Sequence, residues 1–439
     1  MSSVATANRR TLGARHIIYG LPAVCFAFPL VPFAVYLPSF YATDMALGFL
    51  VVAIALFLSR LVDMISDPLV GMWSDDTGNA WWHRKGWIAG GAVVAATALV
   101  FLCRPPAQPS ALYLGLWSAI LYVGWTMVMV PYQAWGSELA EDDDEVATYT
   151  AAREGCSLLG MLAALSLPMV LDGPLLPAIP SFLLPVGFVS LALALLLLPH
   201  AGASGAARPR SRMADLWQVF RTAEVSSLSR VWFLTATASA IPAALFPLYV
   251  QRVLEGSSGE ENLAVLLYFM TAVLAIPLWA RASKGRNKKR LMAAGMAVVC
   301  LVFPTAVFLG PGDTGLFLIV CVLSGAGLGA ELVLGPAILA DIIRARTKAG
   351  HTGLAAIHFA IWGMVAKLAF ALAILLSFGL LALFEALLGE GANAFAVAVV
   401  YALLPALIKG VATADLWRKT SISGQTKTCA TAYRDTRFD

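Results

Sequence analysis

Charge is what this 439-residue chain has least of. Lys and Arg total 30 and Asp and Glu 26, so only 13 % of the residues are charged, against about 25 % in a typical soluble domain. With 59 % hydrophobic residues and a mean hydropathy of +0.79, no soluble fold has an interior large enough to hide the apolar sequence. The net charge of +4 gives no nucleic-acid signature, because the basic residues lie between hydrophobic runs. Histidine is nearly absent as well. The five present (His16, His83, His200, His351, His358) show no H-E-x-x-H spacing, and no serine stands in a Gly-flanked elbow, so two common hydrolase patterns are missing. The six cysteines (Cys25, Cys103, Cys156, Cys300, Cys321, Cys429) lack metal-ligand spacing and fall mostly inside apolar runs, where they read as packing residues. Neither an enzyme, nor a cofactor, nor a nucleic-acid partner is expected.

What the chain has is one hydrophobic run after another. Twelve spans of ~20 residues consume ~240 positions, and the remainder suffices for short loops and one hydrophilic segment. Read against the charge clusters, the spans fall near 17–41, 47–74, 86–103, 111–139, 150–171, 179–199, 229–251, 262–281, 290–310, 315–343, 353–385 and 391–415. The fold class is therefore an all-α membrane protein with twelve transmembrane helices. The first apolar run lacks a small-residue cleavage site, so it is read as a retained helix and not a signal peptide. Lys and Arg cluster around Arg9, Arg10 and Arg15, at Arg84-Lys85, between Arg208 and Arg230, over 281–290 and 344–348, and at Arg418-Lys419. All of these share one side if the spans alternate. The positive-inside rule then places both termini in the cytoplasm, with the cell (inner) membrane as the location.

A Gly/Ala/Ser/Pro-rich segment over 200–228 separates residues 1–199 from 229–415, and 416–439 form a cytoplasmic tail. The halves echo one another. The fourth span ends Val130-Pro131…Glu138, and the tenth ends Gly335-Pro336…Asp341. Two related six-helix halves joined by a cytoplasmic linker are the plan of a major-facilitator transporter, in which one half rocks against the other about a central site. Nothing in the sequence demands a protein partner, so a monomer among membrane lipids, handling a small-molecule substrate, is expected.

Ionisable residues inside spans cost a few kcal/mol or more each at the bilayer centre, about 2.5–3.5 on insertion scales, and mark function. In the second span Arg60, Asp63 and Asp67 are spaced i, i+3, i+7, which puts all three on one helix face. Measured from Asp75, Asp67 lies ~12 Å and Asp63 ~18 Å into the span. Two carboxylates one turn apart must share a proton, bind a cation or lean on Arg60. Pro68 lacks an N–H, which frees the carbonyl of Met64 to face a cation. The plainer alternative is an Arg60–Asp63 ion pair, with Asp67 capping or kinking the helix.

In the eleventh span Lys367 is too deep to snorkel comfortably. A carboxylate of the second span is its expected partner, either as a coupling pair or as a static salt bridge. The fourth span carries Trp125, Thr126, Met129, Gln133 and Trp135, which reads as a cavity wall or as ordinary core. Glu138 and Arg153, with Asp75, are expected as a latch on the cytoplasmic side or as a stabilising surface network.

These residues resemble the glycoside–pentoside–hexuronide:cation symporters, the major-facilitator branch typified by melibiose permease. The string Arg60-x-x-Asp63-x-x-x-Asp67-Pro68-x-x-Gly71-x-x-x-Asp75-x-Thr77, then Arg84-Lys85 and Trp87, carries the likeness in the first half. So do Val130-Pro131-Tyr132, Glu138-Leu139 and Ala151-Ala152-Arg153-Glu154-Gly155. Pro336…Ala340-Asp341, Gly353 and Lys367 carry it in the second. The resemblance implies symport coupled to Na⁺ or H⁺. It implies a cation site of Asp63, Asp67 and Thr126 with Ser66 beside it, where the acids would be the ligands if the ion is Na⁺. It places Arg153, Trp135 and Lys367 around the substrate. Arg60 and Gln133 are read from their own positions as part of the same cavity, and Asp75, Glu138 and Asp341 as a cytoplasmic gate. The departures concern the cargo. Phe26-Ala27 stand where sugar-transporting members have a Lys-Asp pair, Met129 replaces an acid and Trp362 replaces a glutamine. Ser66, which replaces an asparagine beside the cation site, bears instead on the choice between Na⁺ and H⁺. An apolar cavity lined by Phe26, Met129, Trp135 and Trp362 suits a small, less hydroxylated solute or an amphiphilic, lysolipid-like one. A non-transporting receptor or assembly factor on the same scaffold is the remaining alternative.

Overall fold

A computed structural model describes residues 13–76, 82–140, 143–167, 175–199, 219–348, 355–388 and 394–435. Helices account for all twelve expected spans. In the first half they are α1 (Ala14–Asp44), α2 (Phe49–Asp76), α3 (Trp87–Cys103), α4 (Ala111–Leu139), α5 (Asp143–Ser166) and α6 (Leu175–Leu197). The second half contains α7 (Ala223–Arg252), α8 (Ser258–Ala282), α9 (Lys288–Val302), α10 (Thr314–Lys348), α11 (Ala355–Leu388) and α12 (Ala394–Asp435). Within α1 the helix is interrupted at Phe28-Pro29 and closes in a π-helical turn over Phe40–Asp44. Eleven of the twelve are long and apolar enough to cross a membrane. The exception is α5, whose first turns carry Asp143, Asp144, Glu145, Arg153 and Glu154.

Several boundaries differ from expectation. The fifth helix starts at Asp143, earlier than the expected 150, because its charged turns are helical although they are not apolar. Likewise α7 begins at Ala223, inside the segment read as linker. The tail expected over 416–439 continues α12 as far as Asp435, while its apolar span ends at Arg418. Most of the linker, 200–218, lies outside the described residues, as does Thr77.

The chain divides into two compact units, Met1–Arg208 and Pro209–Asp439. In the first, α1 packs on α5, and α4 on both α2 and α3. The second repeats the scheme six helices on, with α7 against α11 and α10 against both α8 and α9. Small residues allow these crossings. A Cβ on Gly160 of α5 would stand 2.0 Å from the carbonyl oxygen of Val24 in α1, and one on Gly325 of α10 would stand 2.3 Å from that of Tyr268 in α8. Glycine is what lets the paired backbones touch.

Helix ends are set locally. Ser257 caps α8 by accepting from Glu260 N–H, while the Glu260 carboxylate accepts from Ser257 N–H at 2.8 Å, a capping box. Ser257→Ala is expected to cost about 1 kcal/mol, read as a lower heat-denaturation midpoint of the purified protein; no change would mean that water replaces the cap.

Candidate functional site

One face of α2 meets Thr126 of α4 in the interior of the first unit. Asp63 is 2 % and Thr126 1 % exposed. The Thr126 Oγ1 lies 3.2 Å from Asp63 Oδ1 and 2.8 Å from Asp67 Oδ1. Ser66 Oγ is 3.4 Å from the same hydroxyl and donates to the Asp63 carbonyl at 2.9 Å. On the other side Arg60 Nη1 stands 3.4 Å from Asp63 Oδ2, and its guanidinium lies over the Tyr122 ring at 4.0 Å, a cation–π contact that holds the base in place.

A threonine hydroxyl has one hydrogen to give, yet two carboxylate oxygens sit within reach of it. The cluster of Arg60, Asp63 and Asp67 also contains one more acid than base. Carboxylate and hydroxyl oxygens are the donors that a proton or a small hard cation takes. Pro68 lies inside the continuous α2 and leaves the Met64 carbonyl without its helical donor, one further oxygen one turn away.

The remaining candidate residues are dispersed. Phe26 and Met129 line an apolar cavity of about 420 Å³ with Trp125, between α1, α3, α4 and α6. Trp135 is not on that wall. It is fully buried, donates its indole N–H to Pro199 O at 3.3 Å, and packs in the core with Tyr19, Tyr132 and Tyr149. Two further hydrogen bonds tie α1 to α4 there, since Tyr19 and Tyr132 each donate to the other's carbonyl. Trp362 belongs to the second unit, where it stacks on Trp232 with ring centroids 4.1 Å apart. Gln133 is exposed, and Lys367 is half-buried midway along α11.

At the polar end of the first unit Arg153 pairs with its neighbour Glu154 at 2.6 Å, and Glu138 pairs with Arg84 at 2.7 Å. Arg84 also donates to Ser74 at 3.1 Å, fastening α2 to α4. The expected pairing of Glu138 with Arg153 is not what forms: the base on Glu138 is Arg84, and the acid on Arg153 is its neighbour Glu154. Asp341 is held by Lys288 at 2.6 Å. The side chain of Asp75 lies outside the described residues.

One buried constellation was missed in the sequence. Glu331 of α10 and Lys409 of α12 form an ion pair at 2.6 Å, with side chains 2 % and 5 % exposed. Lys409 also donates to Ser239 of α7 at 2.9 Å, so the pair joins three helices of the second unit. Its signal was the same as that of Asp63, an ionisable residue inside an apolar run.

Twelve helices in two units with repeated pairings, and charges buried among them, define a multi-pass membrane transporter of the secondary type. The comparisons agree. Residues 18–423 match the family described as MFS/sugar transport protein, so the chain belongs to that family, which includes the glycoside–pentoside–hexuronide:cation symporter-like branch. No curated protein sequence matches it. Among solved structures it is similar to a point mutant of the nucleoside transporter NupG, at 12 % identity and a TM-score of 0.70, covering 92 % of this chain and 99 % of that one. That likeness is one of fold. These relatives are transporters and not enzymes.

Proposed function

We propose that this protein is a cation-coupled symporter that moves a small organic solute by alternating access, driven by Na⁺ or H⁺. A single observation carries the reading. The Thr126 hydroxyl faces Asp63 and Asp67 together, in a cluster whose acids exceed its bases by one. Asp63, Asp67, Thr126 and Ser66 hold the ion, and Lys367 is the basic residue of the second half that responds to its loading. Both termini face the cytoplasm across the inner membrane, in keeping with the Lys/Arg distribution.

The cargo is a sugar-like or related solute with fewer hydroxyls than a disaccharide. Phe26, Met129 and Trp125 around an apolar cavity favour an amphiphilic cargo as the second reading.

The test is the thermal stability of the purified full-length protein with Na⁺, at several pH values, against glycosides, hexuronates, nucleosides and lysolipids. Stabilisation by one class, enhanced by Na⁺ or by protons, is expected. Thr126→Val removes the shared hydroxyl and should weaken the ion response about tenfold, the worth of one hydrogen bond to a charged group. An unchanged ion response in Thr126→Val overturns the site.

A further inference from the structure

The apolar cavity of the first unit has a polar neighbour. Along α6 its lining runs from Leu183 to Leu195, ~18 Å at the helical rise, close to the ~15 Å depth of one bilayer leaflet. On the facing wall Ala89, Ala92 and Ala96 of α3, spaced i, i+3, i+7, leave a face without bulk. Val93 and Phe188 stand at its edge, 67 % and 75 % exposed. The cavity therefore opens on the apolar outer surface of the unit, where lipid tails lie.

At Leu195 the lining changes. A second cavity of about 500 Å³ begins there, formed by Arg15, Lys85 and residues 195–199. Lys85 donates to the carbonyls of Leu195 and Leu198, each at 2.7 Å. These are the terminal carbonyls of α6, which lack helical partners. Two of the three ammonium hydrogens are thereby used. The ammonium also lies 5.5 Å from the centroid of the Trp135 ring, and the side chain, 3 % exposed, borders the cavity from within. No carboxylate among the described residues is bonded to Lys85 or to Arg15. An apolar slot of leaflet depth thus ends in two cations without an acid. A sugar finds no polar partner in the slot, and a free inorganic anion has no use for it.

We infer that the first unit carries a resident site for an anionic phospholipid, with one acyl chain in the slot and the phosphate on Arg15 and Lys85. The lipid sits on the outer surface of α3 and α6 and is distinct from the ion cluster of α2 and α4. Anionic and zwitterionic lipids share the phosphodiester, so the selectivity comes from the rest of the headgroup: a choline cation is repelled by Arg15 and Lys85, and an anionic lipid carries none.

Trp125 lines the slot and supplies the readout. The detergent-purified full-length protein is titrated with phosphatidylglycerol bearing brominated acyl chains, and separately with phosphatidylcholine bearing the same chains. Phosphatidylglycerol should quench the Trp125 component of the fluorescence at about a tenfold lower concentration, because its headgroup lacks the choline cation that the two bases repel. Trp125→Phe should remove that component while leaving the quenching of exposed Trp73 and Trp417. Ala92→Phe, which fills the slot, should abolish the Trp125 component of quenching by both lipids. Arg15→Gln, at an exposed position, should bring phosphatidylglycerol to the level of phosphatidylcholine while the fold is retained. Equal quenching of the wild type by the two lipids overturns the site, as does full quenching in Ala92→Phe. Gradient-driven transfer of the same lipid across reconstituted vesicles would make it cargo and overturn the resident assignment.

Discussion

Replacing Asp67 by asparagine is expected to abolish gradient-driven accumulation of solute while leaving the protein folded and inserted. The amide is isosteric and can keep the 2.8 Å contact with Thr126, so the packing of α2 on α4 survives. What disappears is one negative charge. A carboxylate 4 Å from a cation is worth about 4 kcal/mol at an effective dielectric constant near 20, or about a thousandfold in ion affinity. In the variant Arg60 balances Asp63, and the cluster is neutral without an ion. Uptake into proteoliposomes under Na⁺ and H⁺ gradients checks the first half of this expectation. Exchange of labelled for unlabelled solute without a gradient checks the second, since binding and rocking should persist. Unaltered accumulation would remove Asp67 from the ion site.

Glu331→Ala should destabilise the second unit by about 3–5 kcal/mol, the usual cost of leaving one member of a buried ion pair without the other. The Lys409 ammonium would keep its bond to Ser239 but face no counter-charge at the vacated position. Exchanging both partners for apolar residues of similar volume, Glu331→Leu with Lys409→Met, should recover most of that loss, because a packed apolar contact often matches a buried pair. Heat denaturation of the single and double variants forms the cycle that isolates the pairwise contribution. A single variant as stable as wild type, or a double variant worse than either single, would show that the pair is not a neutral pin.

Much of the architecture follows from composition and spacing. The spans, their number and the repeat of one half in the other were legible because hydropathy and Lys/Arg placement are local properties of the chain. The α2 cluster was legible for a similar reason, since Arg60, Asp63 and Asp67 share a face by helical arithmetic alone. Thr126 entered through the family resemblance, and no spacing within α4 singles it out. Trp135 shows the limit. An aromatic on a helix has no fixed surroundings until its neighbours are known, and Tyr19, Tyr132 and Tyr149 enclose it. The Glu331–Lys409 pair is separated by 78 residues, so each charge was visible in the sequence but their meeting was not. The slot beside α3 is harder still, because the alanines that make it become a void only when α6 lies opposite.

The buried pair also has an electrical consequence. Every elementary charge carried across the membrane potential exchanges about 2.3 kcal/mol per 100 mV, so a transporter's moving parts are weighed by the voltage as well as by their contacts. Glu331 and Lys409, joined at 2.6 Å, travel as a dipole with no net charge. Whatever displacement the second unit undergoes, the field does almost no work on them. The three helices they join are thereby anchored by charge without becoming a voltage sensor.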